Sequence, residues 1–212
     1  MGRFKHGVNG PFVGKVGNVI GSSRYGIPYM KGPYKNRTTT ISEKEKFNRR
    51  KFAATQAWLK PLTEYLRRGF KGYSPRSEGF VSAKSYLHKN ALRVEEDNII
   101  IDPAVVLVSF GDLPIPESAA CSLTEPGELK FTWQPGKSGI GYDKDQVMMV
   151  AYNIEAKQVY GIFIGQFRSA GHDILPIPAD IKPGSVLHIY LAFVAADRSR
   201  QSDSLYLGEI TI

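Results

Sequence analysis

The sequence predicts an α+β protein in two parts: an N-terminal glycine-rich β-ribbon with basic helices, and a C-terminal β-sandwich. Three observations support this prediction. Glycines alternate with β-branched and aromatic residues over the first 30 residues, apolar residues recur at helical spacing from residue 43 to 91, and from Asn98 the apolar period becomes two. We therefore predict two domains, residues 1–97 and residues 98–212.

The N-terminal ribbon is predicted from two extended runs, residues 12–20 and 24–30, which flank Gly21-Ser22-Ser23 as a short hairpin turn. A two-stranded ribbon this rich in glycine is marginally stable alone, so we expect a neighbouring subunit or the rest of the chain to support it. The residues predicted to form this assembly arm are Phe12, Val13, Lys15, Ile20, Arg24, Ile27 and Tyr29.

Helices are predicted after the ribbon. Ser42 precedes Glu45 by three residues, the spacing of a capping box at a helix start. Pro61 interrupts the apolar pattern that follows, so we expect either a kink or two helices, 43–59 and 61–70. A further short helix is marked by Phe80, Ala83, Leu87 and Ala91.

The sandwich is predicted from short apolar runs separated by turn residues. Its expected strands are 98–101, 104–109, 117–123, 127–133, 146–153, 158–167, 185–195 and 203–212. The odd positions from Leu187 to Phe193 form an apolar face, so His188 is predicted to face outward, and Trp133 is predicted to lie in the core. We expect residues 98–212 to fold alone.

Charge is distributed unevenly along the chain. Residues 1–94 hold 20 Lys and Arg and four acidic residues, a net charge of +16, whereas the remainder holds 8 and 16, a net charge of −8. The first part therefore suits an anionic partner, either an acidic protein surface or, non-specifically, nucleic acid; a solvated charged face is the simpler interpretation. The predicted basic surface comprises Lys31, Lys35, Arg37, Arg49, Arg50, Lys60, Arg67, Arg68 and Lys71.

The motifs that would indicate an enzyme fail on spacing. The segment from Gly10 to Lys15 has one residue too few between its glycines for a phosphate-binding loop, and the four histidines show no metal-ligand spacing. Cys121 is the only cysteine and is expected to be buried and inert. We therefore predict a non-enzymatic protein with no cofactor, no metal, no small-molecule substrate and no membrane segment.

Two segments of the C-terminal part resemble a fibronectin type III or related immunoglobulin-like domain. The segment from Gly127 to Pro135 is similar to the second strand of that fold, which ends in a core tryptophan followed by proline. Residues 181–195 resemble its later strands, although Leu187 stands at the tyrosine-corner position. The resemblance implies an immunoglobulin-like β-sandwich over residues 98–212, a fold mostly used for adhesion or docking.

The whole chain also resembles an uncharacterised family of proteins from Bacteroidota and their phages. The similar segments are Gly10–Gly17, Gly26–Met30, Arg50–Ala53, Arg68–Lys71 and Tyr206–Gly208. The family has no assigned activity, but a phage context would account for a ribbon that needs a partner, the uneven charge and the lack of a catalytic constellation. We therefore predict a structural or assembly protein, a phage virion component of the neck or tail ring, with other protein subunits as partners in a homo-oligomer or ring. It would lie in the virion if phage-encoded and otherwise in the cytoplasm. The alternatives are a cytoplasmic nucleic-acid-binding protein that uses the basic N-terminal half, and an enzyme whose site is assembled only in three dimensions.

Overall fold

The computed structural model describes residues 2–4, 6–7, 10–35, 40–75, 77–125, 127–136 and 142–212. The chain divides into two compact units, residues 1–46 and residues 47–212. The boundary therefore lies about 50 residues before the predicted one at 97/98, and the reason lies in the core of the second unit. Among the described residues, no helix is long and apolar enough to cross a membrane.

The first unit is a four-stranded antiparallel sheet in the order β1-β2-β3-β4. Its strands are β1 (Arg3–Phe4), β2 (Phe12–Val16), β3 (Val19–Arg24) and β4 (Ile27–Lys31). We call residues 2–35 of this unit the ribbon.

The turns of the ribbon differ from the prediction. The chain reverses at Gly17-Asn18 and at Tyr25-Gly26, where Gly17, Tyr25 and Gly26 adopt positive φ angles of 56°, 51° and 78°. The predicted turn at residues 21–23 is wrong, because these residues lie inside β3. Glycine is required at position 21 for close packing, since a Cβ there would collide with the carbonyl oxygen and ring of Phe12.

In the part of the chain that the structure describes, three α-helices follow the ribbon: α1 (Glu43–Leu59), α2 (Thr63–Gly69) and α3 (Gly79–Asn90). The backbone N–H of Glu45 donates to Ser42 Oγ over 3.3 Å and so caps α1. Pro61 lies in a 3-10 turn, Lys60–Leu62, that separates α1 from α2, which agrees with the position predicted for the break.

The described residues of the second unit also form nine strands, most of them in two sandwich-like antiparallel sheets. One sheet has the order β10-β9-β12-β13, the other has the order β11-β8-β7, and β5 and β6 form a separate hairpin. The strands are β5 (Leu92–Glu95), β6 (Asn98–Ile101), β7 (Ala119–Glu125), β8 (Glu128–Trp133), β9 (Gln146–Asn153), β10 (Gln158–Ile162), β11 (His172–Pro176), β12 (Val186–Val194) and β13 (Leu205–Thr211). The fold is thus mixed α and β, as predicted, and consists mostly of β-sheets.

Two strand predictions need correction, and two strands of the second unit, β5 and β11, were not predicted. Residues 104–109 form turns and irregular chain and not a strand. The N–H of Val108 donates to Ser204 Oγ, and the hydroxyl of Ser109 donates to the Ser202 carbonyl, so these groups do not pair with a neighbouring strand. Strand β10 ends at Ile162 and does not reach residue 167. Strand β11 was not predicted, since the run His172–Pro176 has only two apolar side chains besides its proline.

In the four-stranded sheet of the second unit, the two central strands, β9 and β12, are buried on both faces. Odd residues of β12, from Leu187 to Phe193, pack with Phe131 and Trp133 in the core between the two sheets. Even residues pack on the other face: Tyr190 and Ala192 of β12 share a second core with residues of α1, α2 and α3. The helices therefore belong to the same folding unit as the sheet, which explains why the boundary does not fall at residue 97.

This second core also corrects the prediction for His188. The residue does alternate with the apolar face of β12, but it is only 9% exposed because the opposite face is also covered. Its Nδ1 lies 3.0 Å from the hydroxyl of Tyr206. Burial lowers the pKa of His188, and the nearby Glu209 carboxylate offsets that effect only in part.

Candidate functional site

The predicted assembly arm lies mostly on one face of the ribbon. In the strand register Lys15 pairs with Ile20, Ile20 with Lys31, and Arg24 with Ile27. Paired residues of neighbouring strands share a face, so this face alternates cations with apolar side chains. We call it the basic face; it carries Arg3, Val13, Lys15, Ile20, Ser22, Arg24, Ile27, Tyr29 and Lys31.

The opposite face of the ribbon carries no charge, and we call it the uncharged face. Its residues are Phe4, Phe12, Gly14, Val16, Val19, Gly21, Ser23, Pro28 and Met30. The rings of Phe4 and Phe12 lie 5.9 Å apart between centroids. Phe12 is therefore the one predicted arm residue that lies on this face.

The ribbon has no core of its own. Gly21, which has no side chain, is the only buried residue among those described between positions 2 and 35. On the uncharged face Met30 is 71% exposed, Phe4 55% and Val16 49%. An apolar surface of this kind is typical of a protein-protein contact.

In the second unit, three of the predicted basic residues surround one pocket of about 300 Å³, which we call the basic pocket. Four cations line it. Arg67, Arg68 and Lys71 come from α2 and the residues just after it, and Arg198 comes from the loop between β12 and β13. The rest of the lining consists of polar Gln201 and four apolar side chains: Met148, Phe163, Ile164 and Val194. A cationic pocket with apolar walls suits an anionic group that carries apolar neighbours.

Side-chain contacts hold the cations of the basic pocket in place. The guanidinium carbon of Arg68 lies 3.8 Å from the centre of the Phe163 ring. The Lys71 ammonium donates to the Arg198 carbonyl over 3.2 Å, and Arg198 Nη2 donates to the side-chain oxygen of Gln146. Arg198 Nη1 is buried and has no hydrogen-bond partner in the part of the chain that the structure describes.

The remaining predicted basic residues do not join this pocket. Arg49 and Arg50 are exposed on α1, where Arg50 Nη2 donates to the Asp97 carbonyl over 3.3 Å, and Lys60 is exposed in the 3-10 turn. Lys35 is exposed after β4. Arg37 lies outside the described residues.

The histidines and the cysteine that the sequence offered as candidates for catalysis contact neighbouring groups of the fold. His88 Nε2 lies 3.3 Å from the Thr55 hydroxyl, and His172 Nδ1 lies 3.1 Å from the Ala170 carbonyl oxygen. Cys121 is half-buried, and burial raises the pKa of its thiol to about 12, so the reactive thiolate is scarce at neutral pH. No group of three metal-ligating side chains occurs within the described ranges.

Comparisons with known proteins give one extensive match. The model of a family described as a family of unknown function (DUF6266) matches residues 11–208. No curated protein matches the sequence. Among solved structures, the fibronectin type III domain of the human collagen alpha-1(XX) chain is similar with 14% sequence identity and a TM-score of 0.33, covering 45% of this chain and 82% of that chain.

Proposed function

We propose that this chain, which belongs to the DUF6266 family, is a non-enzymatic structural protein that assembles with other protein subunits through its ribbon. The observation that supports this proposal is the absence of a core in the ribbon. Apart from Gly21, all of its described residues are exposed or half-buried.

The energetic argument concerns the cost of ordering the ribbon. Backbone ordering costs roughly 1–2 kcal/mol per residue, and glycine loses more conformational freedom than other residues. Burying a large apolar side chain returns about 1.5–3 kcal/mol, but only where another surface covers that side chain. A partner that covers the ribbon would supply this stabilisation.

The uncharged face is the surface that we assign to the partner. Contact there would bury Phe4, Val16, Val19 and Met30 without removing any charged side chain from water. The basic face has cations next to each apolar residue, so covering it would require an acidic partner surface.

A homo-oligomer or ring is the assembly that we propose. A phage neck or tail ring, which would place the protein in a virion, and an immunoglobulin-like subtype for the sandwich are implied by the sequence resemblances and stay predictions. Non-specific binding of nucleic acid is the second proposal, and the observation that favours it is the four cations around the basic pocket.

The substitution Met30→Asp tests the proposed function. Met30 is exposed in the free chain, so the substitution should leave the fold intact while placing a carboxylate in the subunit contact. Loss of one buried side chain, at about 1.5–3 kcal/mol, should weaken self-association by about 10- to 100-fold in sedimentation velocity measurements.

The matched control is Asn18→Asp, which adds the same charge in the exposed turn between β2 and β3. It should associate like the native chain. Equal association of Met30→Asp and the native chain would show that the uncharged face is not the contact.

A further inference from the structure

The basic pocket has more positive charge than its own chain neutralises. Of its four cations, only Arg67 forms an ion pair in the described part of the chain, with Glu64 at 2.9 Å. The pocket lining contains no acidic residue. The pocket therefore fits a ligand that brings carboxylates or phosphates.

The turn between β5 and β6 has more negative charge than its own chain neutralises. Glu95, Glu96 and Asp97 are the only adjacent acidic residues in the sequence. All three are exposed, and Glu96 and Asp97 adopt positive φ angles of 47° and 69° in a tight reversal. None of their carboxylates forms an ion pair within the residues that the structure describes. We call these three residues the acidic turn.

The apolar surroundings of the two surfaces also match. In the hairpin register Glu95 pairs with Asn98 and Arg93 with Ile100, so Glu95 and Ile100 share a face. Ile100 is 41% exposed beside the turn. The basic pocket offers the exposed Ile164 and the half-buried Phe163 next to its cations. Arg93 shares this face and pairs with Asp102 at 3.5 Å, and Arg50 donates to the Asp97 carbonyl. The three carboxylates of the turn still outnumber these two cations, so each surface combines exposed apolar side chains with a net charge opposite to that of the other.

We propose that the acidic turn of one copy binds the basic pocket of a second copy. This inference rests on the proposed assembly function and names a second copy of this chain as the partner. The ribbon segment of another copy cannot neutralise the pocket, because residues 1–42 contain seven Lys and Arg and no acidic residue. Within the described residues, the acidic turn is the densest group of carboxylates without an ion pair.

The proposed contact predicts the type of assembly. The turn and the pocket are different surfaces of one chain, so their contact is heterologous, and heterologous contacts generate rings if the rotation closes and filaments if it does not. Each copy would bind the next in the same orientation, because the acidic turn is complementary in charge to the basic pocket and not to another acidic turn.

Charge reversal tests this inference on the full chain. The pocket variant carries Arg67→Glu and Arg68→Glu, and the turn variant carries Glu95→Lys and Glu96→Lys. All four side chains are exposed, so both variants should stay folded. The pocket variant loses the Arg67–Glu64 ion pair and the contact of Arg68 with Phe163, so its melting temperature should fall slightly below the native value. The control variant, Lys89→Glu with Lys182→Glu, makes the same charge change as the pocket variant at exposed cations outside the pocket lining.

Each reversed variant alone should self-associate at least about tenfold more weakly than the native chain in sedimentation velocity, because like charges then meet at the contact. An equimolar mixture of the two variants should recover association. The pocket that is made acidic in the pocket variant can then bind the turn that is made basic in the turn variant. The control should behave like the native chain.

Other results would overturn the inference in ways that can be told apart. If the native chain associates and both reversed variants associate equally well, the acidic turn and basic pocket are not in contact, while the proposed assembly function stands. If the native chain stays monomeric, self-assembly itself fails and this inference fails with it. If association is unchanged but the pocket variant loses binding to a 20-nucleotide single-stranded DNA, the pocket is a nucleic-acid site instead.

Discussion

A chain of residues 98–212 should fail to unfold cooperatively, whereas a chain of residues 42–212 should unfold in one cooperative transition. The four-stranded sheet of the second unit packs against the helices through Met148, Val150, Tyr152, Tyr190 and Ala192. Removing the helices would expose these side chains, and full burial of each large one is worth about 1.5–3 kcal/mol. Their combined loss is comparable to the whole net stability of a domain, about 5–15 kcal/mol.

Specific polar contacts would be lost together with this apolar surface. The hydroxyl of Tyr152 donates to the carbonyl of Trp58 on α1 over 2.9 Å, and the N–H of Phe110 donates to the carbonyl of Gly69 on α2 over 2.8 Å. Heat denaturation followed by circular dichroism distinguishes the two chains. A cooperative transition in the chain of residues 98–212 would show that the sandwich is an independent domain and that the helices are an appendage.

Trp133→Ala should destabilise the protein by about 3–5 kcal/mol, the usual range for truncating a buried aromatic side chain. Trp133 is buried between the two sheets, and its ring meets that of Phe193 edge-on with centroids 5.5 Å apart. Its Nε1 donates to the Arg168 carbonyl over 2.7 Å. The substitution would therefore leave a cavity and remove one of the two donors to the Arg168 carbonyl, which also accepts from the Gly171 N–H over 3.3 Å.

Trp133→Phe is the matched control, because it keeps most of the ring volume and removes the indole N–H. Its cost should be clearly smaller than that of Trp133→Ala in chemical denaturation of the full chain. A cost below about 1 kcal/mol for Trp133→Ala would contradict the placement of this residue in the core.

The strands that the sequence predicted best are those with a simple alternation or a continuous apolar run. Strands β8, β9 and β12 lie within a residue of their predicted bounds. Their environment was harder to predict, because alternation describes one face of a strand and cannot show that helices cover the other. His188 and the shared core of helices and sheet were misjudged for this reason.

Glycine explains the error in the ribbon. A glycine between two apolar runs predicts a turn, but it also permits close approach of a neighbouring strand, and at Gly21 the second role applies. The sequence pattern does not distinguish these roles. The observed turns also contain glycines, Gly17 and Gly26, both with positive φ angles.

The candidate site was only partly predictable. Arg67, Arg68 and Lys71 were predicted as basic residues from their position around α2, and helix geometry keeps them close together. Arg198 lies 127 residues from Lys71 and reaches the pocket through the loop after β12. No local pattern marks such a residue, since only the packing of α2 on the sheet brings the two segments together.

Removing residues 1–41 tests most directly whether the ribbon is the assembly element. This deletion keeps Ser42 as the cap of α1 and leaves the second unit complete. The account predicts that the shortened chain stays folded but self-associates at least about 100-fold more weakly than the full chain in sedimentation velocity, since every apolar side chain of the ribbon is lost from the contact. Self-association of the shortened chain with the affinity of the full chain would contradict it.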